Sequence, residues 1–181
     1  MSYNDSYIEQ IISQIEKDSL DKNLDYFCST RDIFQARIDS YALSSGKYLE
    51  SAVIGEIGNN TFDHNWDFMP NHMRGAYFNL ETFDNTVILA DFGRGIRESL
   101  KNVYVAKNDV DAVTVAFTKH LSGRAPEQRG NGLKFVADSV KQKHWSMYFQ
   151  SWNGCCIIEN SEISFSSCSF TFLGCLVVLS F

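Results

Sequence analysis

Glu56 and Asn60 stand four residues apart in the run Glu56-Ile-Gly-Asn-Asn60-Thr-Phe-Asp63-His64-Asn65. On a helix that spacing puts both side chains on one face. A carboxylate beside an amide oxygen suits Mg²⁺, which wants oxygen ligands, keeps several waters, and takes few protein contacts plus the phosphates of a substrate. The same carboxylate can polarise a water aimed at a terminal phosphate. A second group, Asp91-Phe-Gly93-Arg-Gly95-Ile96, follows the apolar run Val87–Ala90. An aspartate ending a buried strand can accept a hydrogen bond from an exocyclic amine, while Gly93 and Gly95 let the backbone approach a flat ring and reach positive φ. The third group, Arg129-Gly130-Asn131-Gly132-Leu133-Lys134, opens a helix. Glycines there leave backbone N–H groups free to cradle phosphates, aided by the helix dipole. Each segment alone also fits a plainer account: a solvated polar helix face, a strand ending in a glycine turn, or a capped helix after a loop.

Elements are needed to hold these groups in place. Ile8, Ile11, Ile12 and Ile15 recur at helical spacing, which predicts an amphipathic helix over 7–16. Its apolar face either packs on the domain or serves a partner or dimer surface. A second helix starts at Ser29–Thr30, with Arg31 and Asp32 in its first turn, and stops near Ser44–Gly46. A third covers about 47–65, and Asn59, Asn60, Asp63, His64 and Asn65 crowd its C-terminal half. Such residues are poor helix formers, so they point to a ligand face. Two β segments, 75–82 and 86–92, flank a turn at Asp84–Asn85, and the second reads as a central buried strand. Helices are expected over 96–107 and 109–121, the latter begun by Asp109 or Asp111, then a loop over 122–132 and a helix over 132–143. Two strands near 145–160 and 162–181 carry turn signals at Trp152–Gly154 and Asn160–Glu162. This order predicts an α/β chain of the α+β kind, a two-layer sandwich with a mixed β-sheet covered on one face by helices.

The net charge of −6 argues against non-specific nucleic-acid binding, which needs many cations against phosphates. An anionic ligand must then be held by local devices: a few cations, Mg²⁺ and helix N-termini. The five cysteines form no CxxC pair and no zinc spacing, so they read as small buried apolar residues in a reducing cytosol. The first residues lack a basic start and an apolar core, so no signal peptide is expected. The run 170–181 is too short to span a bilayer and reads as a buried strand.

The order and spacing of the three motifs are more specific than any one of them. A helix carrying ExxxN, a strand ending DxGxG, an intervening segment and GxGL opening a helix resemble the GHKL ATPases, the fold of gyrase, heat-shock chaperones, histidine kinases and mismatch-repair proteins. The resemblance covers about residues 47–181, leaving 1–46 as an N-terminal helical extension. It implies that Asn60 coordinates Mg²⁺ bridging the phosphates of ATP, and that Glu56 sits where hydrolytic members keep their general base. His64 matches a position that often faces the nucleotide. Asp91 would take the adenine amino group, with Gly93, Gly95 and Ile96 in the motif that lines the base. Arg129, Gly130, Gly132 and Leu133 match the second glycine box, which closes over the phosphates. Residues 97–129 correspond to a mobile ATP lid, and Lys119, Arg124 or Arg129 in or beside it could reach the γ-phosphate.

The pattern departs from the family in places. Gly174-Cys175 stands where relatives often carry Gly-Thr near the adenine, and cysteine is a far weaker donor. No separate downstream domain supplies a lysine to the γ-phosphate, and residues 1–46 contain no histidine, so a complete histidine autokinase is not expected. What the resemblance implies is a cytoplasmic Mg-ATP-binding regulator with slow hydrolysis or phosphotransfer to a protein partner, similar to the anti-sigma-factor kinases. The alternative is a nucleotide-gated protein-binding module without significant turnover, for example a regulator of a toxin or transcription factor. A detached histidine-kinase catalytic domain is a third. A homodimer through the N-terminal helix is a further expectation.

Overall fold

The computed structural model describes residues 3–21, 25–70, 74–81, 85–119 and 132–181. Helix α1 (Asp5–Leu20) is capped by Asn4, whose side chain accepts from the Tyr7 N–H at 2.9 Å. Helix α2 (Arg31–Ser45) starts at Thr30, whose hydroxyl accepts from the Ile33 N–H, and stops at Gly46. Helix α3 (Tyr48–Asn60) continues through a π-helical turn, Thr61–Asn65, and a 3₁₀ turn, Trp66–Phe68. Helices α4 (Gly95–Leu100), α5 (Asp109–Thr118) and α6 (Gly132–Gln142) lie between the third and fourth strands.

Strands β1 (Phe27–Cys28), β2 (Ala76–Glu81), β3 (Thr86–Asp91), β4 (Ser146–Glu159) and β5 (Glu162–Ser180) form one sheet in the order β1-β2-β3-β5-β4. The α+β sandwich is as expected, but the sheet is not mixed: every pairing is antiparallel. Strands β3 and β4 do run the same way, as a helical crossover between them requires. However, β5 turns back at Asn160–Ser161, both at positive φ, and enters between them. Among the described residues no parallel pair forms.

Strand alternation explains why both faces of the sheet are covered, not one. Val87 and Leu89 of β3, Val177 and Leu179 of β5, and Met147 and Phe149 of β4 pack with Phe34, Val53, Ile54, Val113, Phe117 and Val136 of the helices. The residues between them, Ile88, Ala90, Leu176, Val178 and Tyr148, face the other side, where Ile8, Ile11 and Ile15 of α1 cover them. The isoleucine stripe therefore packs on the domain. Covering this second apolar face removes it from water, the dominant stabilising term in such a fold.

Other expectations are corrected in detail. The helix expected over 96–107 ends at Leu100. Helix α5 is capped by Asn108, which accepts from the Asp111 N–H at 2.8 Å, and not by Asp109 or Asp111. Asn108 has the short acceptor side chain that a cap needs, one residue earlier than expected. Trp152–Gly154 is a bulge inside β4 and not a turn, with the register shifting on both sides of Trp152. The cysteines are not all free: Cys155 and Cys168 form a disulfide, their Cα atoms 5.9 Å apart. Cys155 lies opposite Ser166, so Cys168 is its diagonal neighbour on the same face of the β4–β5 ladder, a proximity that only the strand register creates. Among the described residues, no helix is long and apolar enough to cross a membrane.

Candidate functional site

The first motif begins on α3 and finishes in the π-helical turn. Such turns widen the helix locally and occur often at functional sites. Here the turn brings Thr61 and Asn65 onto β3. The Thr61 hydroxyl donates to Asp91 Oδ2 at 3.1 Å, and Asn65 Nδ2 donates to both carboxylate oxygens at 2.9 and 3.0 Å. The Gly93 N–H donates to Asp91 Oδ1 at 2.9 Å. Asp91 is 4% exposed, and the first and second motifs meet on it.

Burial pushes the Asp91 carboxyl above its ordinary value, and the hydrogen bonds from Gly93, Asn65 and Thr61 pull the other way. Beside it on β5, burial and then the Asp91 charge push the Cys175 thiol well up. The thiol stays protonated and sits 3.6 Å from the Ser151 hydroxyl, which it meets as a weak donor. The hydroxyl on Asp91 therefore comes from Thr61 on the helix side, and not from the last strand.

The two glycines of the second motif are required for different reasons. Gly95 has φ +75°, and a Cβ on it would lie 2.5 Å from Trp152 Cδ1 and 2.8 Å from Ser151 Oγ. Gly93 does not have positive φ, contrary to the expectation: a Cβ on it would lie 2.5 Å from Asn65 Cγ, so the side chain of Asn65 fills its space. The bulge in β4 aims Ser151 and Trp152 at the start of α4. Ser151 Oγ accepts from the Ile96 N–H at 2.9 Å, and Trp152 Nε1 donates to the Arg94 carbonyl at 3.1 Å.

The third motif reaches the first through Glu56. A Cβ on Gly132, the first residue of α6, would lie 2.5 Å from Glu56 Oε2. Glu56 is exposed, and Asn60, one turn on, is half-buried. His64 is half-buried on the π-helical turn. Ile96 and Leu133 both pad the helix-side core. Arg129, Gly130 and Arg124 lie outside the described residues. Lys119 ends α5 with its ammonium 5.2 Å from the Tyr104 ring centre.

Residues 109–118 of the expected lid, 97–129, form helix α5, and 120–129 lie outside the described residues. Ala112, Val113, Val115 and Phe117 of α5 are buried, so that helix belongs to the body of the domain. Its apolar spacing, Ala112, Val113, Val115 and Phe117, carried that signal in the sequence.

Thr61, Ser151 and Trp152 are the residues that sequence reasoning did not place in the site, and Asn65 entered only as part of the polar run that points to a ligand face. Thr61 and Asn65 were inside the polar run after Asn60, but only the π-helical turn decides that both face Asp91. Ser151 and Trp152 carry no local signal, because a bulge deep in a strand pair aims them. Among the described residues, no three His, Cys, Asp or Glu side chains gather to hold a metal. Asn60 and Glu56, one turn apart on α3, are the oxygen donors that could hold a Mg²⁺ ion if a ligand's phosphates supplied its other oxygens. No family model matches the chain, and no curated protein matches it.

Proposed function

We propose that this chain binds Mg-ATP where β3 ends and acts as a regulatory protein of the histidine-kinase-like ATPase fold. It would hydrolyse ATP slowly or pass the γ-phosphate to a protein partner. One observation carries this: segments distant in sequence converge, with Glu56 against Gly132 and the turn after Asn60 bonded to Asp91. A solvated helix face, a glycine turn and a capped helix have no reason to meet in this way.

In this proposal Asn60 would hold Mg²⁺, which would supply positive charge against the phosphates. Glu56 orients and deprotonates a water or an incoming hydroxyl. Asp91, with Gly93 and Gly95, forms the base end of the pocket, and the N-terminus of α6 receives the phosphates. His64 borders the nucleotide. The second reading is a nucleotide-gated protein-binding module that keeps its ATP. The exposure of Glu56 favours it, since a base open to water lacks the dry surroundings that strengthen catalysis. A homodimer through α1 would use the side of that helix facing away from the sheet.

Calorimetric titration with Mg-ATP, followed long after each injection, tests the proposal. Saturating heat with a sustained signal means turnover. Saturating heat alone means the binding module. No heat at several temperatures removes ATP from the account.

A further inference from the structure

The bulge that aims Ser151 and Trp152 is held by a buried polar chain that starts at the disulfide. Between the pairs Trp152–Phe172 and Gly154–Ser167, β4 has one residue, Asn153, and β5 has four, 168–171. Cys168 is the first of those four, and its bond to Cys155 staples that end of the bulge. Gln150, 0% exposed, ties the two strands across it: Nε2 donates to the Trp152 carbonyl at 2.8 Å and to the Phe170 carbonyl at 2.9 Å. Its Oε1 accepts from the Tyr148 hydroxyl at 2.7 Å. That hydroxyl oxygen lies 3.3 Å from Cys155 Sγ and 3.7 Å from Cys168 Sγ. Beyond the bulge, Trp152 and Ser151 hold the Arg94 carbonyl and the Ile96 N–H.

Bonded sulfurs carry no proton and donate nothing to Tyr148. On reduction each gains an S–H, a weak donor, and the two move from bonding to van der Waals separation. Cys155 is 3% and Tyr148 4% exposed, so the change falls in close-packed surroundings and the neighbours must adjust. We propose that Cys155–Cys168 is a redox switch that sets, through Tyr148 and Gln150, the bulge placing Trp152 and Ser151 at the start of α4. Control of nucleotide binding by this switch rests on the Mg-ATP reading above. Cys155 is buried and Cys168 half-buried, so a small thiol enters at Cys168. Its thiolate attacks Cys168 Sγ, the S–S bond breaks, and Cys155 leaves as a thiolate that takes a proton. A second thiol then releases Cys168 from the mixed disulfide. Two thiols are oxidised to one disulfide, and the cysteine pair gains two electrons and two protons.

The test follows the Trp152 indole N–H resonance of the ¹⁵N-labelled full chain, identified by its loss in Trp152→Phe, before and after adding dithiothreitol. Alkylation shows whether the pair has opened, and circular dichroism shows that the fold is kept. The Trp152 resonance should move on reduction and return on reoxidation. That of Trp145, packed on Phe181 at the far end of the strand, should stay. An unmoved Trp152 indole in folded, reduced protein overturns the proposal, and so does a pair that is never oxidised. Where the reduced chain unfolds, Tyr148→Phe decides in the oxidised state. Losing the hydroxyl should move the same indole, and an unmoved indole refutes the relay. Titration of both redox forms with Mg-ATP tests the control. Affinities differing by roughly fivefold or more support it, and equal affinities overturn it. No binding by either form overturns the Mg-ATP reading, while the indole still decides the switch.

Discussion

Glu56 Oε2 of α3 lies 2.5 Å from where a Cβ on Gly132 would sit, so the carboxylate rests in the space that a side chain on the first residue of α6 would take. The carboxylate is the exposed end of a flexible side chain and can move aside. Alanine also suits a helix better than glycine by about 1 kcal/mol. Gly132→Ala should therefore keep or slightly raise the melting temperature while displacing Glu56. If Glu56 is the base, turnover falls in this variant and is lost in Glu56→Ala, with ATP binding kept in both. Wild-type turnover in Glu56→Ala would dismiss it as the base.

Asn60 tests the metal. Asn60→Ala should abolish Mg²⁺-dependent ATP binding, because truncation removes the amide oxygen and leaves only Glu56 beside the phosphates. Titrations with Mg²⁺ and with a chelator separate this from a general loss of affinity. Unchanged affinity in Mg²⁺ would take Asn60 out of the site.

Gly93 and Asn65 compete for one volume. A methyl group on Gly93 collides with the Asn65 side chain, which Asp91 holds on the other side. Overpacking of this kind costs about 1–3 kcal/mol, and in a chain of this size each kcal/mol lowers the melting temperature by about 2–4 °C. Gly93→Ala should thus melt several degrees lower. The loss should shrink when Asn65 is also made glycine, a coupling that thermal denaturation of the double-mutant cycle reads directly.

The elements were largely legible in the sequence, because periodicity and caps are local. Thr30 and Gly46 bound α2, and the isoleucine spacing of α1 is plain. The faces were less legible. Val87–Ala90 reads as buried on both sides, but nothing in it says that α1 supplies the second cover. In the candidate site, spacing singles out Glu56, Asn60, Asp91, Gly93, Gly95 and Gly132, while Ser151 and Trp152 reach α4 only through a bulge set by strand register. Long-range pairing is what one sequence hides, and the partnership of Cys155 with Cys168 was missed for the same reason.

That disulfide has a direct readout. Unfolding without reductant and alkylating should add three groups, at Cys28, Cys156 and Cys175, and five after reduction. Reduction should also lower stability by about 2–4 kcal/mol, since the crosslink restricts the unfolded chain. Five groups without reductant would show that the pair is not oxidised in solution.

Asp91 sets a pH dependence with a definite sign. Burial dominates its hydrogen bonds, so the folded chain holds the Asp91 proton to a higher pH than the unfolded chain, whose ordinary value is 3.8. Between these two values the folded state binds more protons, so the stability contributed by Asp91 is full below 3.8 and is lost as pH rises through the folded value. Asp111 runs oppositely: the hydrogen bond from the Lys107 N–H lowers its value, so it adds stability as pH rises. The total curve therefore mixes signs, and the difference between the parent chain and Asp91→Asn isolates the buried group. Urea denaturation from about pH 3 to 8 should show that difference falling with pH across the window and then levelling. A difference that rises instead would mean that Gly93, Asn65 and Thr61 together outweigh burial, and that Asp91 is held as a carboxylate throughout.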